Sequence, residues 1–61
     1  MSIRIIVAED VDVLREELVF RLNDQLDMEV VGEASTGAQA VLLAREREAD
    51  VALLDIEMES I

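Results

Sequence analysis

Short apolar runs and helically spaced apolar positions follow one another along the chain. Residues 3–8 form a run rich in β-branched side chains that only Arg4 interrupts, which predicts a strand buried on both faces. The following apolar residues recur every three or four positions, which predicts a helix capped at its start by Asp10 or Asp12. The residues of this helical pattern are Val11, Leu14, Leu18, Leu22 and Leu26.

The second half of the chain repeats this alternation. Residues 28–34 predict a strand in which acidic residues flank the central valines, a pattern typical of a sheet edge. Thr36 and Gln39 have the spacing of a capping box and predict the start of a second helix, which runs to about Glu48. Residues 51–55 predict a third strand. The arginines of the two helices are expected on solvated faces: Arg15, Arg21, Arg45 and Arg47.

Helices that separate successive strands imply parallel pairing through right-handed crossovers. The first and third predicted strands are the most apolar, so a sheet with strand order 2-1-3 buries them best. The sequence therefore predicts an α/β fold in which strands and helices alternate, β-α-β-α-β, with a parallel sheet.

Acidic residues stand where two neighbouring strands of this sheet end. Glu9 and Asp10 follow the first strand, and Asp55 ends the third. Ligands of open α/β sheets bind at this carboxyl edge. Like charges held close together raise one another's pKa unless a cation intervenes, and Mg²⁺ prefers oxygen ligands. Acids at these positions also serve as helix caps, so the pattern alone leaves a structural role open.

The amino-acid composition excludes several classes of partner and site. The 61 residues carry fifteen acids and five bases, all of them Arg, for a net charge of −10, which disfavours nucleic acids and anionic membranes as partners. There is no Cys or His, so disulfides and the usual zinc ligands are absent from the sequence. No apolar run approaches the roughly 20 residues of a membrane span. A soluble, cytoplasmic chain is expected.

Four segments resemble bacterial response-regulator receiver domains. Ile3–Asp10 resembles the first strand and acidic pair of that family, and Val51–Met58 resembles its phosphoacceptor strand and the loop after it. Glu29–Ala34 and Gly37–Val41 are similar to the intervening segments. The resemblance is strongest to transcriptional regulators with a LuxR-type helix-turn-helix output domain. It covers residues 1–61, but only about the first half of a receiver domain.

The resemblance implies half of a flavodoxin-like doubly wound fold and a role in a two-component phosphorelay. Asp55 matches the aspartate that accepts phosphate from a sensor histidine kinase. Asp10 matches a direct Mg²⁺ ligand, Glu9 the second acid that often acts through water, and Glu57 the position whose carbonyl binds the metal. Such a domain assists its own phosphorylation and is not a metabolic enzyme.

The sequence also departs from the family pattern. It contains no Lys, and nothing in it matches the family's Ser or Thr at the end of the fourth strand. Glu59 and the two residues after it stand where the family usually has Pro and a Gly-containing turn. We therefore expect a truncated receiver domain over residues 1–61, without its DNA-binding output domain and impaired in switching.

Truncation at this point would leave the third strand with an open, apolar edge. We expect this edge to pair with a second copy in a two-fold homodimer or a larger oligomer. Two alternatives stay open. One is an engineered or structural half-domain that only self-associates, and the other is an acidic cation-binding module unrelated to signalling.

Overall fold

The computed structural model describes residues 1–55, and Glu57 lies outside this range. The predicted element order is confirmed. The elements are β1 (Ile3–Ala8), α1 (Asp12–Asn23), β2 (Met28–Ala34), α2 (Gly37–Glu46) and β3 (Val51–Leu54). None of the helices in residues 1–55 has the length and apolar character needed to cross a membrane.

The three strands form one parallel sheet in the predicted order β2-β1-β3. β1 lies in the middle, and its residues Ile5–Ala8 are buried. β2 is an edge strand, as its flanking acids predicted. The apolar β-branched run thus occupies the one position in this sheet with a strand on each side.

The two helices cover opposite faces of the sheet. Ile6 and Ala8 of β1 pack with Ala34 and with Ala40 of α2, and Leu43 of α2 adds a half-buried side chain to this cluster. Side chains alternate along a strand, so the buried Ile5 and Val7 point to the α1 side. Among the described residues, α1 and α2 do not contact each other. The central strand therefore supplies the core of both layers.

A bulge in β2 adjusts the sheet to this core. Ile5 of β1 lies opposite Val30, but Ile6 lies opposite Gly32, so Val31 is an extra residue on the edge strand. A Cβ atom on Gly32 would stand 2.8 Å from Cδ1 of Ile6, which is fully buried. Glycine at this position lets the Ile6 side chain lie against the backbone of β2.

The start of α2 is capped as predicted. The Oγ1 atom of Thr36 accepts a hydrogen bond of 3.1 Å from the backbone nitrogen of Gln39. The reciprocal bond is shifted by one residue, because Oε1 of Gln39 accepts from the backbone nitrogen of Ser35 at 3.0 Å. The capping-box residues therefore mark this helix start correctly.

The predicted limits of both helices need correction. Val11, not Asp10 or Asp12, occupies the N-cap position of α1 and forms no side-chain cap. The helix ends at Asn23, whose Oδ1 accepts a hydrogen bond of 2.9 Å from the backbone nitrogen of Val30, so the chain turns before Leu26. Leu26 is fully exposed and is not part of the helical face.

The end of α2 comes two residues before the predicted Glu48. Glu48 has a φ of 51°, in the left-handed region, and its nitrogen donates to the carbonyl of Arg45. The nitrogen of Ala49 donates to the carbonyl of Ala44 at 3.0 Å. These two bonds form a Schellman motif, which ends the helix because the left-handed residue turns the backbone away from the axis.

The prediction that β3 is buried is wrong for the described residues. Val51, Leu53 and Leu54 are 39–48% exposed. Within residues 1–55, β3 pairs with β1 on one side only and contacts α2 but not α1. An apolar run alone predicts a strand, but its burial requires neighbours on the second edge and on both faces.

Candidate metal centre

The ends of the strands bring three acids together. The backbone nitrogen of Asp55 donates a hydrogen bond of 3.2 Å to the carbonyl of Ala8, and that of Glu9 donates one of 3.0 Å to the carbonyl of Ala34. These bonds continue the strand pairing past the last residues of β1 and β3. The carboxylate oxygens of Glu9, Asp10 and Asp55 consequently lie within 4.8 Å of one another.

The three acids differ in exposure. Glu9 is 3% exposed, Asp55 is half-buried and Asp10 is exposed. Oε2 of Glu9 also accepts a hydrogen bond of 3.3 Å from the backbone nitrogen of Val11. The cluster is therefore buried at Glu9 and open to solvent at Asp10, so a small charged group could enter it from the Asp10 side.

The environment of Glu9 favours its protonated form. Hydrogen bonding to Asp10 raises the pKa of Glu9 above its ordinary value, and burial and the carboxylate of Asp55 raise it further. The hydrogen bond from Val11 acts in the opposite direction but does not cancel these effects. A proton on Glu9 relieves the repulsion among three neighbouring carboxylates. A bound cation would relieve it in the same way.

The donor set fits a hard divalent cation. All three candidate ligand atoms are carboxylate oxygens. Mg²⁺ prefers such oxygen ligands, whereas softer metals prefer sulfur or imidazole nitrogen. Glu57, the fourth residue expected at this site, lies outside the described residues. The structure thus brings together Glu9, Asp10 and Asp55 of the four expected residues.

Arg15 is a neighbour of this cluster that the sequence analysis placed on a solvated surface. Its side chain is only 17% exposed, and its Nη1 donates a hydrogen bond of 2.8 Å to the carbonyl of Glu9. Arg47 is exposed, as expected, but its Nη1 also donates a hydrogen bond to the carbonyl of Val31 in the bulge. Neither contact has a local sequence signal, since each partner lies in another element.

Comparison with known proteins identifies the family. Residues 5–61 match the model of the response regulator receiver domain. The transcriptional regulatory protein DesR of Bacillus subtilis is 46% identical over 92% of this chain, and LiaR of the same organism is 44% identical over 93%. The response regulator protein VraR of Staphylococcus aureus is 36% identical over 97% of the chain.

The matched region is a small part of each relative. It covers 28% of DesR, 27% of LiaR and 28% of VraR, so the chain spans about a quarter of their length. Two of these names denote transcriptional regulators, in agreement with the subgroup that the sequence resembles. The family match includes both acidic strand ends and extends over 57 of the 61 residues. The chain belongs to the response regulator receiver domain family.

Proposed function

We propose that this chain forms the phosphoacceptor part of a two-component response regulator. In this proposal a sensor histidine kinase donates a phosphoryl group to Asp55, while Glu9, Asp10 and Glu57 hold Mg²⁺ beside it. The observation that carries the proposal is the convergence of three carboxylates within 4.8 Å at the carboxyl edge of the sheet, in a member of the receiver family. The fold alone would not support it, because related α/β sheets host many functions.

The proposed chemistry needs little from the protein beyond placement. A carboxylate oxygen of Asp55 attacks the phosphorus of a phosphohistidine, a P–O bond forms, the P–N bond breaks, and its electron pair returns to the imidazole. Bound Mg²⁺ would neutralise charge between the attacking carboxylate and the phosphoryl oxygens. In this proposal the exposed Asp10 would ligate Mg²⁺ directly, and the buried Glu9 would contact it through water.

The phosphorylated state would regulate an output domain. DesR and LiaR are named as transcriptional regulatory proteins, which supports a DNA-binding output in the parent of this chain. We propose that the domain assists its own phosphorylation and has no metabolic activity. The 61 residues contain no Lys, which departs from the family pattern, and we expect slow phosphorylation and impaired switching from them alone.

Intact-mass measurement tests this function. The chain is incubated with Mg²⁺ and acetyl phosphate, beside Asp55→Asn and the control Asp27→Asn. The backbone carbonyl of Asp27 accepts a hydrogen bond from Ile3, and that bond does not involve its side chain. We expect a single phosphoryl adduct that requires Mg²⁺, persists in the control and is absent from Asp55→Asn. A folded chain that gains no adduct would contradict the proposal.

A second candidate function is self-association through β3. Its exposed side chains are uncharged, and among residues 1–55 its outer edge has no strand beside it. The other edge of the sheet is better protected, because Asn23 and Arg47 bind backbone groups of β2. We propose that two copies of the 61-residue chain pair their β3 edges about a two-fold axis, against the repulsion of their net charge of −10 each.

A further inference from the structure

Arg15 connects three parts of the fold beside the carboxylate cluster. Its Nη1 donates a hydrogen bond of 2.8 Å to the carbonyl of Glu9, in the loop between β1 and α1. Its Nη2 donates one of 2.6 Å to Oδ1 of Asp12, in the first turn of α1. Its Nε lies 3.6 Å from Oε1 of Glu33, near the end of β2. The guanidinium thus joins the loop to the helix and to the edge strand.

The carbonyl of Glu9 belongs to the peptide group between Glu9 and Asp10. That peptide group joins two of the three clustered acids, so its orientation sets the direction in which both side chains leave the backbone. The guanidinium of Arg15 is planar and offers donors in fixed directions, which restricts the acceptor more than a flexible ammonium would. The bond to the carbonyl of Glu9 is partly buried, and the Arg15 side chain is only 17% exposed, so water competes less for this bond than for an exposed one.

We propose that Arg15 is a positioning residue of the carboxylate cluster. By holding the peptide group between Glu9 and Asp10, it keeps their carboxylates directed at a common point with Asp55, where a divalent cation would bind. This inference rests on the proposed function, because it assigns a role toward the same cation. Arg15 itself does not touch the cation or the phosphoryl group.

An effect of the Arg15 charge and a positioning role of its side chain would change the affinity for a cation in opposite directions. A positive charge near the cluster repels a cation, so an effect of charge alone predicts tighter Mg²⁺ binding when Arg15 is removed. A positioning role predicts weaker binding, because Glu9 and Asp10 lose their common orientation. The direction of the change in affinity therefore separates the two roles.

The matched control is Arg21 on the same helix. It carries the same charge, but its side chain is 73% exposed and pairs only with Glu17 among the contacts of residues 1–55, at 2.7 Å. Arg21→Ala removes one positive charge from α1 without loosening the loop that carries Glu9. Arg15→Lys is the complementary variant, since it keeps the charge and removes the planar set of donors.

Mg²⁺ titration of the ¹⁵N-labelled chain, followed through the amide shifts of residues 9, 10 and 55, measures the dissociation constants. We expect Arg15→Ala to weaken binding about tenfold, at the lower end of the range for groups that orient metal ligands. Arg15→Lys should weaken it severalfold, and Arg21→Ala should leave it unchanged or slightly tighter. Unchanged or tighter binding by folded Arg15→Ala would overturn the inference. If Arg15→Ala does not fold, wild-type affinity of Arg15→Lys would overturn it instead.

The same titration distinguishes an error in the proposed function from an error in the role of Arg15. If the folded wild type binds no Mg²⁺, the metal site itself is wrong. The positioning role is then decided by metal-free spectra, in which Arg15→Lys should shift the amides of residues 9 and 10 and Arg21→Ala should not. Unshifted amides of these residues in Arg15→Lys would contradict any positioning role for Arg15.

Discussion

The backbone nitrogen of Asp55 donates a hydrogen bond of 3.2 Å to the carbonyl of Ala8, one residue before Glu9. This bond extends the pairing of β1 and β3 by one step beyond Leu54, the last residue of β3. It therefore places the proposed phosphoacceptor beside the acidic pair, although Asp10 and Asp55 lie 45 positions apart in the sequence. Parallel strand pairing is thus the physical cause of the carboxylate cluster.

The pH dependence of stability should reveal the raised pKa of Glu9. The pKa of Glu9 is raised in the folded chain, so between the ordinary value of 4.5 and the raised value the folded state binds more protons than the unfolded state. The contribution of Glu9 to stability therefore falls as pH rises through this interval. We expect Glu9→Gln to be more stable than wild type at neutral pH, with a difference that shrinks on acidification.

Urea unfolding at a series of pH values measures this difference. Glu46→Gln is the matched control, because it removes the same charge from an exposed position at the end of α2. A stability difference between wild type and Glu9→Gln that does not change with pH would contradict the prediction. Added Mg²⁺ should stabilise wild type more than Glu9→Gln, because the proposed Mg²⁺ site of the folded state includes the carboxylate of Glu9.

The contact between Gly32 and Ile6 should make an added methyl group costly. Gly32→Ala places a Cβ 2.8 Å from Cδ1 of Ile6, which is fully buried, so the Ile6 side chain must shift within the core. We expect a loss of about 1–3 kcal/mol in the free energy of unfolding, as for other overpacked cores. Urea unfolding monitored by circular dichroism measures it.

A double-mutant cycle with Ile6→Val isolates this contact. Ile6→Val removes Cδ1 and alone should cost about 0.5–1.5 kcal/mol. In the double variant, the clash is relieved, so its loss should be smaller than the sum of the single losses. Additive losses would show that the cost of Gly32→Ala arises elsewhere.

Glu48 should be improved by glycine. Its φ of 51° lies in the left-handed region, which costs a side chain roughly 1–2 kcal/mol and costs glycine little. We expect Glu48→Gly to raise the melting temperature. The free energy of unfolding should increase by about 1 kcal/mol or less, because the higher entropy of the unfolded chain with glycine offsets part of the gain. Glu46→Gly, two residues earlier at the last position of α2, should lower the melting temperature. Equal effects of the two substitutions would contradict the role of Glu48 in ending the helix.

A lysine on the exposed β3 edge should oppose self-association. Leu53 is 40% exposed, and edge lysines hinder strand pairing. Leu53→Lys also lowers the magnitude of the net charge, so a loss of association could not be attributed to greater repulsion between copies. Leu42→Lys changes the charge equally at a 62% exposed position on α2 and should have no effect.

Sedimentation velocity over a range of concentrations follows this change. We expect wild type and Leu42→Lys to associate and Leu53→Lys to remain monomeric. A wild-type chain that is folded and monomeric at all concentrations would rule out pairing through β3.

Local patterns in the sequence predict the helices, the strands and the acids at the strand ends. The β-branched run of β1 and the acidic flanks of β2 predicted a central and an edge strand, and both predictions are confirmed. Thr36 and Gln39 marked the start of α2 because a cap is a contact between residues three positions apart. Such features need only local geometry, which short stretches of sequence specify.

Features that depend on residues far apart in the sequence follow from the packing of the elements and have no local pattern. The exposure of β3 depends on which elements pack beside it, and the apolar pattern of residues 51–54 does not predict those neighbours. Arg15 and Arg21 have the same chemistry on one helix, yet only Arg15 reaches Glu9 and Glu33. They differ because the parallel sheet brings the ends of β1 and β2 close to the first turns of α1, where Arg15 lies. No local sequence pattern predicts this proximity.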